Sequence, residues 1–204
     1  MGYWQDVLDV FLLKDKTYKK LANDKGTFKR YFSAYLLSSY LVFLFFAIVG
    51  GLAALVMFPG TIAFSPEKIL LILLLAIGFI IIIPFIIFII AFILTLVPYI
   101  IGLVFGGRPR NYVDFFKIIH FTTPVQIPIC ALFNQVANPI FSVWHFFIMF
   151  KTYKVVHKLN STQAMWAVIV YIIIILFVLM VVVLLFLSIY SNFLPYMTNP
   201  GMFA

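Results

Sequence analysis

Apolar residues in this chain run on without the interruptions that mark a one-sided helix. No charged side chain occurs in the 36 residues from Ile69 to Val104, and Leu36–Phe58 and Ala164–Tyr190 are equally free of charge. A run of about 18 or more apolar residues is long enough to cross the hydrocarbon layer as a helix. Only elements that satisfy their own backbone groups survive there. The pattern predicts an all-α integral membrane protein. Shorter apolar pieces, Ile118–Phe133 and Val136–Phe150, lie between the last two long runs.

The Ile69–Phe105 run poses the first question of topology. At about 1.5 Å per residue it reaches roughly 55 Å, well beyond a hydrocarbon core of about 30 Å. It is either one long helix or two helices turned back at Pro84. Positive charge decides between them. With a single crossing, the tail (seven Lys and Arg), residues 106–117 (three) and residues 151–162 (three) share a side, and Lys68 alone faces the other. A hairpin at Pro84 divides the same charges seven against seven. The positive-inside bias selects the single crossing, with Pro84 and Pro98 as kinks.

Ile118–Phe133 and Val136–Phe150 either cross as two short helices or dip in and return as a re-entrant pair. Both put 106–117 and 151–162 on one side. The expectation is five transmembrane helices, at about 36–58, 69–105, 118–133, 136–156 and 164–190, the alternative being three crossings plus a re-entrant pair. Lys151 and Lys154 then snorkel to lengthen the fourth crossing. The N-terminus is cytoplasmic and the C-terminus outside. Residues 1–33 form a basic cytoplasmic tail, 34–191 the membrane domain and 192–204 a short outer tail. Trp166 and Tyr190 fall at the two ends of the last helix, where aromatic belts form.

Composition agrees: 65% of the 204 residues are hydrophobic and only 10% charged, against about 25% charged in soluble domains. The net charge of +8 is explained by its placement, so nucleic acid is not an expected partner. The first 33 residues mix basic and acidic side chains without the apolar stretch of a cleavable leader. In that tail Trp4, Val7, Leu8, Phe11 and Leu12 share one helical face ahead of Lys14, Lys16, Lys19 and Lys20. This face predicts either an in-plane helix on an anionic leaflet or a helix packed on the bundle's own loops.

No enzyme pattern is present. Four of the six acids lie in the tail, with Glu67 and Asp114 apart from them, so no acid–base pair shares a membrane pocket. The single cysteine, Cys130, provides neither a disulfide nor a thiolate cluster, and no metal or cofactor is expected. His120, Gln126 and His145 are polar groups within the apolar region. Such groups mark ion paths or hydrogen-bond a backbone carbonyl, here one freed by Pro124 or Pro128. The "NQVANP" stretch, 134–139, is expected to be a polar outer turn, and Ser161 or Thr162 the cap of the last helix. Arg108 and Arg110 either fix the topology among headgroups or dock phosphate or acidic partners.

The stretch "FGGRPRNYVDFFKIIHFTTP", residues 105–124, and "FKTYKVVHKLNSTQAMWAVIVY", residues 150–171, resemble the Yip1 domain family. The positions that carry the resemblance are Gly106, Gly107, Arg108 and the run His120 to Pro124, with Thr123 and Pro124, then His157, Leu159, Ser161 and Ala164. The resemblance implies five crossings, a cytoplasmic N-terminus and a C-terminus on the other side. Phe121 stands where a tyrosine is common in the family, and the acidic N-terminal region and "DLYGP" motif of eukaryotic members are absent. Their association with Rab-type GTPases and vesicle traffic is therefore not carried over, and the chain is read as a short prokaryotic-type member in a bacterial or archaeal cell membrane. The expected function is a non-enzymatic scaffold or adaptor in membrane organisation. Its contacts are placed on Arg108, Arg110, Lys117, Lys151, Lys154 and Lys158, with anionic lipid headgroups, a protein partner or a second copy as the occupants. The rival is a small transporter or channel with a path through 118–150.

Overall fold

The computed structural model describes residues 3–57, 66–108 and 111–198. Among these the regular structure is entirely helical: α1 (Tyr3–Phe11), α2 (Asp15–Asn23), α3 (Thr27–Met57), α4 (Pro66–Leu94), α5 (Leu96–Val104), α6 (Tyr112–Ile119), α7 (Thr123–Leu132), α8 (Asn134–Val156) and α9 (Ser161–Thr198). Four stretches are long and apolar enough to cross a membrane: Thr27–Gly51, Ile80–Val104, Tyr112–Leu132 and Ser161–Ser191. α8 has the length of a crossing, 23 residues, but its polar side chains lower its hydropathy.

The long second run does not fold back. α4 is helical straight through Pro84. The break expected at Pro98 falls earlier, at Thr95, and the reason is positional. Pro98 stands in the first turn of α5, where an N–H has no intrahelical acceptor to lose. Thr95 Oγ1 instead donates to the Ala91 carbonyl at 2.6 Å, a back-bond that bends helices.

Ring contacts give the helix directions. Phe28, Phe32 and Tyr35 of α3 meet Phe88 of α4, and Phe32 also meets Phe85, so α3 and α4 run antiparallel. Phe115 meets Tyr153, and His120 meets His145, so α8 doubles back along α7 and α6. "NQVANP" is not a loop. Phe133 alone joins α7 to α8, and Asn134–Pro139 form the first turns of α8, with Pro139 inside the helix.

Each break leaves carbonyls without a helical donor, and tyrosine hydroxyls reach two of these breaks and the carbonyls of two prolines within helices. Tyr112 donates to the Phe92 carbonyl beside the Thr95 break. Tyr35 donates to Pro84 O at 3.0 Å, Tyr153 to Pro98 O at 2.7 Å, and Tyr3 to Phe121 O, between α6 and α7, at 3.2 Å. Their rings fill the core: Tyr31, Tyr35, Phe115, Phe116, Phe121 and Tyr153 are all buried. Beyond that core, α3, α4 and α9 present exposed Leu, Ile, Val and Phe on most of their surface, as helices solvated by lipid do.

The tail joins the fold on one face and leaves another free. Val7 and Val10 of α1 are buried, whereas Trp4, Leu8 and Leu12 stay exposed. The apolar face read from the sequence is thus divided between bundle and surroundings. Tyr153→Phe removes one carbonyl partner without changing the packed ring, and should cost about 1 kcal/mol. Thermal unfolding in nanodiscs checks this, with Tyr190→Phe, whose side chain is exposed, expected to leave the midpoint unchanged.

Candidate functional site

The turns after α5 and after α8, far apart in sequence, meet at one end of the molecule, and the α1–α2 tail is fastened to α6 and α8. The turn after α5 is a glycine-built stop. Gly106 has φ +88°, and Gly106 N donates to Leu103 O and Gly107 N to Gly102 O, each at 3.0 Å. These are the two bonds of a Schellman cap, with glycine in the left-handed position. Gly107 is required for a different reason. A Cβ there would lie 2.4 Å from Gly102 O and 2.8 Å from the Cβ of His157. The two turns are joined by Arg108 N donating to His157 O at 2.9 Å.

His157 fills the space that the glycines leave. Its ring is buried, with the rings of Tyr99, Phe115 and Tyr153 at 5.1, 5.2 and 5.9 Å. Neither ring nitrogen has a hydrogen-bond partner. Burial pushes the imidazole down to about 4, so the ring is neutral near pH 7. A neutral ring in an aromatic box acts as packing.

Charge pairs tie the tail to this end. Asp6, 1% exposed, accepts from Lys20 at 2.5 Å and from Arg30 at 3.5 Å. Arg30 also reaches Asp24. Lys14 donates to Asp9 at 2.7 Å and holds its carboxyl below the usual carboxylate range. Lys151 does the same for Asp15, also at 2.7 Å. Asp24 is held low chiefly by the Gly26 N–H.

Deeper in the bundle lies a second polar group. His120 Nε2 sits 2.8 Å from Thr95 Oγ1. That hydroxyl already donates to Ala91 O, so the histidine nitrogen is the donor. The expected bond to a carbonyl freed by Pro124 or Pro128 is replaced by this one. Gln126 donates to Thr122 Oγ1 at 3.0 Å. His145 stands 6.0 Å from His120, ring to ring. A cavity of about 380 Å³ between α7, α8 and α9 is lined in part by Gln126, Asn138, Ser142 and His145. Among the described residues no group of His, Cys, Asp or Glu could hold a metal.

A model of the Yip1 domain matches residues 16–184, from α2 to the middle of α9. The chain belongs to the Yip1 domain family. Comparison with curated proteins and with solved structures gives no match.

Within this Yip1 domain the residues singled out by sequence have separate fates. Gly106, Gly107, Arg108 and His157 meet at the joined turns. Thr123 and Pro124 open α7, with the Thr123 N–H on His120 O at 2.9 Å. Ser161 is not the cap of α9 but its first residue, and its Oγ accepts from Lys154 at 3.0 Å. The cap is Asn160: its side chain accepts from Gln163 N at 2.8 Å, while Gln163 Oε1 accepts from Asn160 N at 3.1 Å. This reciprocal box was legible in "NSTQ" as a polar cap with Gln three residues on. Ala164 is fully buried just after it.

The contact set also changes. Arg108 and Lys158 are exposed, and Arg110 lies outside the described residues. Lys117 is not on the surface: it is 3% exposed, paired with Asp114 at 2.6 Å and donating to Asp24 O at 3.2 Å. Its three donors are better used joining α6 to the tail than facing lipid. Lys151 and Lys154, expected to snorkel freely, are held by Asp15 and Ser161.

Gly107→Ala should destabilise the Yip1 domain by about 1–3 kcal/mol through overpacking against backbone and a buried ring. Gly50→Ala, where an added Cβ meets nothing within 4 Å, should be neutral or slightly stabilising. Thermal melts of the two variants in the same detergent check the contrast.

Proposed function

We propose that this Yip1 domain is a non-enzymatic membrane scaffold or adaptor, which uses the basic end described above to engage an acidic surface, of anionic headgroups or of a protein partner. The observation that carries the reading is convergence: Arg108 N donates to His157 O and joins the turns after α5 and α8, while Lys151 and Lys117 fasten α8 and α6 to the tail at Asp15 and the Asp24 carbonyl. Arg108 and Lys158 project there, with Lys154 beside them over the Phe150 ring at 5.6 Å. Thirteen of the 14 Lys and Arg belong to the segments on this side, leaving Lys68. That imbalance supports a cytoplasmic placement of this end and an outer C-terminus, in a bacterial or archaeal cell membrane.

The proposed topology has five crossings, with α7 and α8 as the third and fourth. In a Cys130→Ser background, single cysteines at the exposed positions 111 and 158 should label from the cytoplasmic side, and at 135 and 200 from outside. A protected 135 with an outward 200 gives three crossings and a re-entrant pair. Labelling of 111 and 158 from opposite faces overturns the scheme.

For the docking surface, Arg108→Glu combined with Lys158→Glu should weaken association of nanodisc-embedded protein with anionic vesicles on the order of tenfold, each cation near such a surface being worth about 1 kcal/mol. Crosslinking in native membranes distinguishes a protein partner from lipid. Unchanged binding and an unchanged crosslinking pattern together count against the reading. A second reading, a conduit for an ion or small solute through 118–150, is favoured by the polar cavity at Gln126, Asn138, Ser142 and His145. Proton, metal-ion or solute flux in reconstituted vesicles, abolished by His145→Ala, would support it over the scaffold.

A further inference from the structure

α3 exposes one stripe at four-residue spacing: Lys29, Ser33, Leu37 and Leu41. Successive members lie about 6 Å apart along the axis. Polarity along the stripe falls in order, from ammonium to hydroxyl to two apolar side chains. The neighbouring stripe also starts with a cation, Arg30, followed by Ala34 and Ser38. Lys29, Ser33 and Leu37 with these three line a groove of about 430 Å³ between α3 and α1, whose opposite wall is Tyr3 and Trp4; Leu41 continues the first stripe just beyond it. Trp4 is 69% exposed and Leu37 62% exposed, so the groove has an aromatic wall and an apolar floor open to the surroundings.

The two cations at its mouth differ in role. Arg30 is held by Asp6 and Asp24. Among the described residues no carboxylate pairs with Lys29, whose side chain is exposed. A groove with a free ammonium at one end, hydroxyls next and aliphatic groups beyond matches the order of groups in a phospholipid: phosphate, glycerol esters, acyl chain. Indoles favour the same level, where an apolar body meets a wet edge.

We infer that the α1–α3 groove is a specific site for one anionic glycerophospholipid. Its phosphate lies against Lys29, its glycerol region against Ser33, and an acyl chain follows Leu37 and Leu41 beneath Trp4. The site needs only that α3 enters the bilayer at this level; it uses neither Arg108 nor Lys158, the cations that test the docking surface.

The test is lipid retention by the full chain. Protein purified in mild detergent is titrated with phosphatidylglycerol or phosphatidylcholine, and bound lipid is counted by native mass spectrometry. Wild type should retain one phosphatidylglycerol in preference to phosphatidylcholine. Lys29→Glu should weaken that retention on the order of tenfold, Lys29→Arg should preserve it, and Trp4→Ala should weaken retention of both lipids. Lys158→Glu should have no effect, which separates this site from the docking surface. Equal retention of the two lipids by wild type, or unchanged retention in Lys29→Glu, overturns the assignment. Loss in Lys158→Glu equal to that in Lys29→Glu also overturns it, because the attraction is then diffuse charge. Since Lys29 and Trp4 are exposed, circular dichroism of both variants should match wild type, so that a loss of lipid reports the groove.

Discussion

A helix that bends inside an apolar layer exposes carbonyl groups that water does not reach, and each must find a donor within the protein. That constraint organises this molecule. Its apolar chain is broken at Thr95, at Phe121 and at Phe133, and prolines stand inside α4, α7 and α8. Tyr112 and Tyr3 bring hydroxyls to carbonyls at two of the breaks, and Tyr35 and Tyr153 to the carbonyls of Pro84 and Pro98, while their rings pack in or against the core. A tyrosine is suited to both tasks, because its ring packs like phenylalanine and its hydroxyl donates one bond at a fixed distance from it. Without those bonds, bending would cost several unsatisfied groups in a medium that penalises each.

The breaks in turn make room for the basic end. Ending α5 at Gly106 lets the chain turn against the end of α8, and the absence of a side chain at Gly107 lets the His157 ring close on it. The tail is then fastened by ion pairs that include the buried Asp6. Pairing consumes several cations, Lys117 among them, and leaves others projecting. The charge this face presents therefore depends on which cations the fold leaves unpaired, more than on how many the chain contains.

Much of this was legible in residue order. Uninterrupted apolar runs declared membrane helices, and the one-sided distribution of Lys and Arg ruled out a hairpin at Pro84, which α4 passes through without turning. The last helix was expected to be capped at Ser161 or Thr162, one or two residues past the Asn160 that "NSTQ" places in a capping box. Other features were not legible, for particular reasons. "NQVANP" has the composition of a loop but folds as helix, because α8 needs its length to run back along α7 and α6. Lys117 looked like its neighbours Arg108 and Arg110, since charge alone does not show whether Asp114 and the Asp24 carbonyl lie within reach. The face of α1 was read as one apolar unit, and only packing divided it into Val7 and Val10 inward and Trp4, Leu8 and Leu12 outward.

By itself the sequence determined the solvent of this protein, the helical class and the uneven spread of charge among its segments, because these follow from summed hydropathy and counted charge along the chain. Family membership was likewise carried by short motifs that need no fold to be read. Tertiary structure alone decided which tyrosine reaches which carbonyl, which lysine is neutralised, and that Lys29, Ser33 and Leu37 face Trp4 across a groove. Those are distances between residues far apart in sequence, and they are set by how helices pack rather than by local propensity or composition.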